Sequence, residues 1–288
     1  MRIVRMIAAM YLAVVCVSAQ EERTQITTGA QRDVDPMISP DGNSIAFSSN
    51  RTGHYNLFVF SYKSAGTLQL TNGNKDDRYP NWSSDGTRII FGSDRTGRGD
   101  LYESRVDGSS GFLQLTDQDL LEEFPNYTSD RRGLLYARAK NKSVLRREMQ
   151  VVYADSLPAA GNTAVLAEGD QPRLSPDGTR IVFVSHRTKN DDVWTMRRDG
   201  SQQTQLTTDD KDDTDPSFSP DGRRIVFTSK RTGNYDIWVM DVDGGNQRQL
   251  SFDQADETQP CWSVGGYIYY THQLSETVSN IYRIRAPR

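Results

Sequence analysis

The chain has 288 residues, with 34 Lys and Arg against 38 Asp and Glu, and a mean hydropathy of −0.68. That length buries a sizeable core in one large domain or two small ones, but 35% hydrophobic residues is low for a helical or doubly wound α/β enzyme. The acidic balance argues against a nucleic-acid binder, 13 Tyr, 10 Phe and 4 Trp argue against disorder, and two distant Cys exclude a disulfide framework or a Cys-based zinc site.

Residues 1–19 have the layout of a secretory signal peptide. Arg2 and Arg5 precede an apolar run, Ile7 to Val17, and Val17-Ser18-Ala19 offers small residues before Gln20. The run is too short to span a bilayer, which takes roughly 20 residues. Removal of Arg2 and Arg5 leaves 32 basic residues against 38 acidic, a net charge of −6, and one thiol, Cys261. Residues 20–288 are then expected to form one domain outside the cytoplasm, periplasmic or secreted, with no further membrane insertion.

From there one phrase recurs six times. It runs through an acidic stretch, Pro, a short apolar segment, a Ser-Pro-Asp-Gly turn, an apolar run, a Ser-x-Arg-Thr-Gly hairpin, and Asp or Asn before an apolar and an aromatic residue. The prolines are Pro36, Pro80, Pro125, Pro172, Pro216 and Pro260, at spacings of 44, 45, 47, 44 and 44. Repeats of about 40–45 residues read as four-stranded propeller blades. In the fifth copy the predicted strands are Pro216–Ser219, Arg224–Thr228, Asp236–Met240 and Arg248–Ser251, with turns at Ser219–Gly222, Lys230–Asn234 and Asp243–Gly245. The third copy is longer, and its extra residues, the basic segment Lys140–Arg147, are expected to form a protruding hairpin. The sixth stops after its third strand, Asn280–Ile284, whereas Thr24–Thr27 carries the missing fourth-strand pattern. The expected fold is therefore all-β: a six-bladed β-propeller of four-stranded blades, closed by an N-terminal strand that completes the last blade and removes an open edge.

Asp215–Phe227 and Gly233–Asp241 resemble the WD-like repeats of the TolB-type six-bladed propeller, and the resemblance spans nearly all of residues 23–285. It implies a periplasmic protein of a Tol–Pal-like envelope system whose channel mouth receives a protein such as a peptidoglycan-associated lipoprotein. TolB carries an α/β domain ahead of its propeller. Only Gln20–Thr28 stand between the expected signal and the first blade here, so a free-standing binding propeller is expected.

The acids preceding the prolines are Asp33 and Asp35; Asp76 and Asp77; Glu122 and Glu123; Asp170; Asp212, Asp213 and Asp215; Asp256 and Glu257, with Arg78 among them. Placed on inter-blade loops, they would line one mouth of the channel and focus a negative field on cationic groups of a protein or peptide. The structural alternative is pairing with the hairpin residues Arg51, Arg95, Arg187 and Arg231 and capping of turns. A Ca²⁺ ion at this mouth is disfavoured by the many oxygen ligands it requires. Asn56, Asp100, Glu148, Asp192, Asp236 and Asn280 recur at the head of the third strand, a structural position. Phe58, Tyr102, Trp194 and Trp238 are expected to pack between blades. His186 and His272 are expected at one hairpin tip of two non-adjacent blades, so neither they nor His54 suggest a shared metal. No Gly-x-Ser-x-Gly, phosphate loop or Cys-His pair occurs. The expectation is a monomeric, cofactor-free, non-enzymatic protein-binding scaffold. The alternative is a hydrolase or lyase acting on glycan or peptide with carboxylates at the channel mouth.

Overall fold

The computed structural model describes residues 23–109, 111–142, 148–159 and 162–287; the expected signal peptide and residues 143–147 of the basic insertion lie outside them. Six antiparallel four-stranded sheets form in chain order. The first holds β2 (Asp33–Ile38), β3 (Ser44–Ser49), β4 (Asn56–Ser61) and β5 (Gly66–Gln69). The second holds β6 (Asp77–Trp82), β7 (Arg88–Ser93), β8 (Asp100–Arg105) and β9 (Leu113–Gln114). The third holds β10 (Glu122–Tyr127), β11 (Leu134–Ala139), β12 (Met149–Ala154) and β13 (Thr163–Glu168), and the fourth β14 (Asp170–Leu174), β15 (Arg180–Ser185), β16 (Asp192–Arg197) and β17 (Thr204–Gln205). The fifth holds β18 (Asp213–Phe218), β19 (Arg224–Ser229), β20 (Asp236–Asp241) and β21 (Arg248–Gln249). In the sixth, β22 (Glu257–Trp262), β23 (Tyr267–Gln273) and β24 (Ser279–Arg285) are completed by β1 (Thr24–Gln25). No helix among the described residues is long and apolar enough to cross a membrane.

Each innermost strand touches the next, and β22 returns to β2, so the sheets close into a ring. Strand alternation supplies the glue: Ile225 and Phe227 face the fourth blade, while Val226 between them faces the sixth. The closing interface is built the same way, with Ile45, Phe47 and Phe58 of the first blade against Cys261, Tyr269 and Ile281 of the last.

The Ser-Pro-Asp-Gly turns follow from side-chain hydrogen bonding. Ser39 Oγ donates to Asp41 Oδ1 at 2.6 Å, and that oxygen accepts the Asn43 N–H at 3.0 Å. Gly42 takes φ 73°, which a side chain tolerates poorly. The bonds from Ser39 and Asn43 hold the Asp41 carboxyl down at about 2. The same Ser or Thr to Asp bond recurs at Ser83–Asp85, Thr128–Asp130, Ser175–Asp177 and Ser219–Asp221.

Closure by the N-terminus is literal. Thr24 pairs with Arg283 and Gln25 with Tyr282. In four blades a fourth-strand hydroxyl accepts a third-strand N–H: Thr71 from Leu57, Thr116 from Leu101, Thr207 from Val193 and Ser251 from Ile237. In the last blade Thr27 fills that role for Ile281, at 2.9 Å and more than 250 residues away. Replacing Thr27 with Val should leave the buried Ile281 N–H unsatisfied and cost about 1–3 kcal/mol. Truncation of residues 1–28 should cost more, because it exposes an edge along β24. Thermal denaturation of both variants measures this; a truncated chain that melts with the intact one would contradict closure.

Candidate functional site

The acidic stretches are only partly loop: Asp76, Asp212 and Asp256 precede the strands, and the acids after them lie within. Strands β2, β6, β10, β18 and β22 each begin on an acid three residues before the proline, so the first strand of a blade starts earlier than the sequence suggests. Counted from the head of each innermost strand, the acids fall into separate environments.

At the first position stand Asp33, Asp77, Glu122, Asp213 and Glu257, all buried. They sit inside the blades beneath the hairpins. Arg51 reaches Asp33 at 3.0 Å, Arg95 reaches Asp77 at 2.9 Å, and Arg231 reaches Asp213 at 2.8 Å. Each guanidinium also lies over two aromatic side chains: Phe47 and Phe58, Phe91 and Tyr102, Phe227 and Trp238. Trp194 and Trp238 pack between blades as expected, Trp194 against the cluster joining the third and fourth and Trp238 against the one joining the fourth and fifth, and each is half-buried beneath its arginine.

The other three blades vary the theme. The fourth has Gly169 at the first position, aligned by Asp170 pairing with Val184, and its Arg187 turns to the Glu168 carbonyl and Gln203. Asp170 and Asp191 flank His186 instead; hydrogen bonds to Asp170 and Asp191 push the imidazole up to about 9. The sixth has no hairpin arginine, and Arg23, just ahead of β1, supplies one. It pairs with Asp253, approaches Glu257 at 3.9 Å and lies over Tyr282. His272 is buried within β23 against Glu257 at 3.0 Å, one register position before His186 and not at a hairpin tip, because that position faces the acid. Asp253, Glu257 and His272 are close enough to share a cation, and the Arg23 guanidinium already occupies that role. In the third blade burial pushes Glu122 up to about 7, with Thr116 and Arg138 acting against it.

At the third position the backbone does something else. Asp35, Tyr79, Phe124, Gln171, Asp215 and Gln259 all have φ between 49° and 58°, a left-handed conformation costly for any side chain larger than glycine. A β-bulge coincides with it: Val34 faces Ser48 but Met37 faces Ala46, and all six blades show the same shift. The six residues, each followed by its proline, line an axial cavity of about 30 Å³, room for only a water or so. Four of the six form a directional chain. The Asp215 N–H donates to Gln171 Oε1 at 2.7 Å, the Gln259 N–H to Asp215 Oδ2 at 3.4 Å, and the Asp35 N–H to Gln259 Oε1 at 3.0 Å. Arg78 extends it with a two-pronged bond to Asp35 at 3.1 and 3.3 Å. Burial alone would lower the Arg78 pKa, and the Asp35 carboxylate raises it. The remaining two are aromatic, Tyr79 against Phe124 at 4.2 Å between ring centres. The axis is thus plugged at mid-depth and the two mouths are separate cups.

The remaining acids frame the mouth on the hairpin side. Asp76 and Asp256 accept the N–H groups of Tyr55 and Tyr235, and Asp212 that of Asp191. Glu123 is half-buried beside a cleft of about 250 Å³ that also touches Asp76, Arg78 and Gly99. Around Tyr235 the charges of Asp212, Asp191, Asp215 and Asp256 converge; burial first, then these carboxylates, push its phenol up to about 12. The Lys230 ammonium lies 5.1 Å from the ring centre. The sequence placed all these acids on one rim; the structure divides them into buried structural acids, axial plug and mouth. Asp191 and Tyr235 escaped notice because they lie on a different loop from the proline-linked acids.

A closed ring of six four-stranded sheets about a plugged axis defines a six-bladed β-propeller. The chain belongs to the TolB beta propeller domain family, whose model matches residues 9–171 and 164–285. No curated protein matches it significantly. Among solved structures, a putative TolB from Agrobacterium tumefaciens is 20% identical, with a TM-score of 0.69 over 91% of this chain and 93% of that one. TolB from Acinetobacter baumannii is 17% identical, with a TM-score of 0.68 over 90% of this chain and 64% of that one. An oligogalacturonate lyase from Vibrio parahaemolyticus is 13% identical, with a TM-score of 0.62 over 94% and 95%. These likenesses are of fold.

Because burial raises Glu122, its neutral form stabilises the fold. That contribution is full below the ordinary carboxylate value near 4.5 and is lost as pH rises through about 7. Glu122→Gln should therefore stabilise the protein by about 2 kcal/mol at pH 8 and by little at pH 5. Melting temperatures across that range measure it, and a pH-independent difference would refute the assignment.

Proposed function

We propose that this chain is a non-enzymatic binding propeller that works outside the cytoplasm, in the cell envelope, and holds a protein or peptide by a cationic group at its acidic mouth. The observation that carries this reading is the convergence of Asp191, Asp212, Asp215 and Asp256 on Tyr235 above a plugged axis. Carboxylates beside an aromatic face form a receptor for an ammonium or guanidinium group. Lys230 already lies over that ring and would yield to a partner's cation. The plug gives the mouth a floor, so a partner docks on a rigid rim and does not thread the channel. The carboxylates that burial raises, Glu122 and Asp213 at the heads of innermost strands and Asp100, Asp192 and Asp236 at the heads of third strands, are all buried inside the blades, which favours binding over acid–base catalysis. The family resemblance supports an envelope partner of the peptidoglycan-associated lipoprotein kind.

Asp212→Asn with Asp256→Asn removes two charges while leaving oxygens that can still accept the Asp191 and Tyr235 N–H groups. The double variant should melt within a few degrees of the parent. It should lose at least tenfold in affinity for the protein that the parent captures from envelope extract, and capture by the parent should weaken with salt. Unchanged capture by the double variant would reject the mouth as the binding site.

A further inference from the structure

The opposite mouth, on the side of the Ser-Pro-Asp-Gly turns, has a different character and does not enter the reading above. Its lining comes from the fifth and sixth positions of the innermost strands and the turns that follow. The fifth-position residues are Met37, Asn81, Asn126, Arg173, Ser217 and Cys261, so this layer holds a single charge. Burial pushes the Cys261 thiol up to about 12, so it supplies no anion.

Arg173 lines both the axial cavity and the cup below it, which has a volume of about 270 Å³. Among the described residues it makes no ion pair; its hydrogen bond is to Asn126 Oδ1 at 3.4 Å, an oxygen that also accepts from Asn81 at 3.0 Å. Asn126 is itself fixed by donating to the carbonyls of Phe124 and Pro172. Burial lowers the Arg173 pKa, and the neighbouring Cys261, Asp215 and Asp35 only partly offset this. Asp35 is already committed to Arg78. The aspartates of the turns share this face, yet none lines the cup. Its walls include Trp82, Tyr127 and Phe218, with Trp82 held by a bond from its indole N–H to the Met37 carbonyl at 2.8 Å.

A half-buried guanidinium without a counter-ion is unfavourable unless something brings a negative charge to it. The planar fork of arginine suits a carboxylate, and the aromatic walls suit an apolar group beside that carboxylate. We propose that this cup is a second binding site, for a carboxylate carried next to an apolar group, with Arg173 as its anchor. A peptide supplies that chemistry either at its C-terminus or from an acidic side chain, and the cup is large enough for about one residue.

Calorimetric titration with three blocked peptides separates these sources: Ac-Ala-Ala-Leu with a free C-terminus, its C-terminal amide, and Ac-Ala-Glu-Ala-amide. At least one carboxylate-bearing peptide should bind and quench Trp82 fluorescence, whereas the Leu amide should bind at least tenfold more weakly. Preference for the free C-terminus identifies a terminal carboxylate, and preference for the Glu peptide identifies a side chain. Arg173→Met should lose at least tenfold in affinity and, with no ligand present, melt at or above the temperature of the parent, since it removes an uncompensated charge. Equal binding of acid and amide, no binding of either acid at millimolar concentration, or undiminished binding by Arg173→Met would each overturn the site. Failure of the hairpin-side mouth would leave this result untouched, because Asp212 and Asp256 take no part in it.

Discussion

The architecture along the axis depends on one backbone irregularity, the left-handed residue that precedes the proline in every innermost strand. A regular strand alternates its side chains between two faces, and in a blade both faces are needed for packing against neighbours. The bulge breaks that alternation once per blade and commits six side chains to the axis, at a cost of order 1 kcal/mol or more each. Hydrogen bonds among four of the six and aromatic contact between the other two offset the strain. The plug, and the division into two mouths of different chemistry, follow from it.

The second organising device is the acid, guanidinium and aromatic stack beneath the hairpins. It appears whole in the first, second and fifth blades, where a desolvated carboxylate is met by a well-placed arginine. The fourth blade trades its acid for Gly169 and bridges two other carboxylates with His186. The last blade recruits Arg23 from the other end of the chain, so the N-terminus brings a strand, a hydroxyl and a charge to the closure. Inside the ring, Gln259 exchanges hydrogen bonds with Asp35 across the same junction, which is thereby fixed at both radii.

The proline spacing and the displaced fourth-strand pattern at Thr24–Thr27 made the blade count and the closure legible in the sequence, because both are periodic properties. The fate of each acid was not legible. Asp212, Asp213 and Asp215 fall within four residues of sequence, yet one caps a loop at the mouth, one is buried under Arg231, and one enters the axial ring. A bulge changes facing within a single residue, and a run of acids does not announce it. Arg173 was silent for a related reason: Pro-Arg-Leu looks like ordinary strand until the six fifth-position residues are aligned and five prove uncharged.

Both mouths presuppose that the ring is sealed by the N-terminal segment. Native-state hydrogen exchange resolved by residue tests that seal directly, through the Ile26 amide, which donates to the Ile281 carbonyl at 2.8 Å, and the Ile281 amide, which donates to Thr27 Oγ1. Protection of both within about tenfold of the Ile237 amide, its counterpart in the fifth blade, is the result expected of a closed propeller. Exchange of Ile26 and Ile281 at the rates of a frayed edge, with Ile237 still protected, would show an open ring and contradict the account.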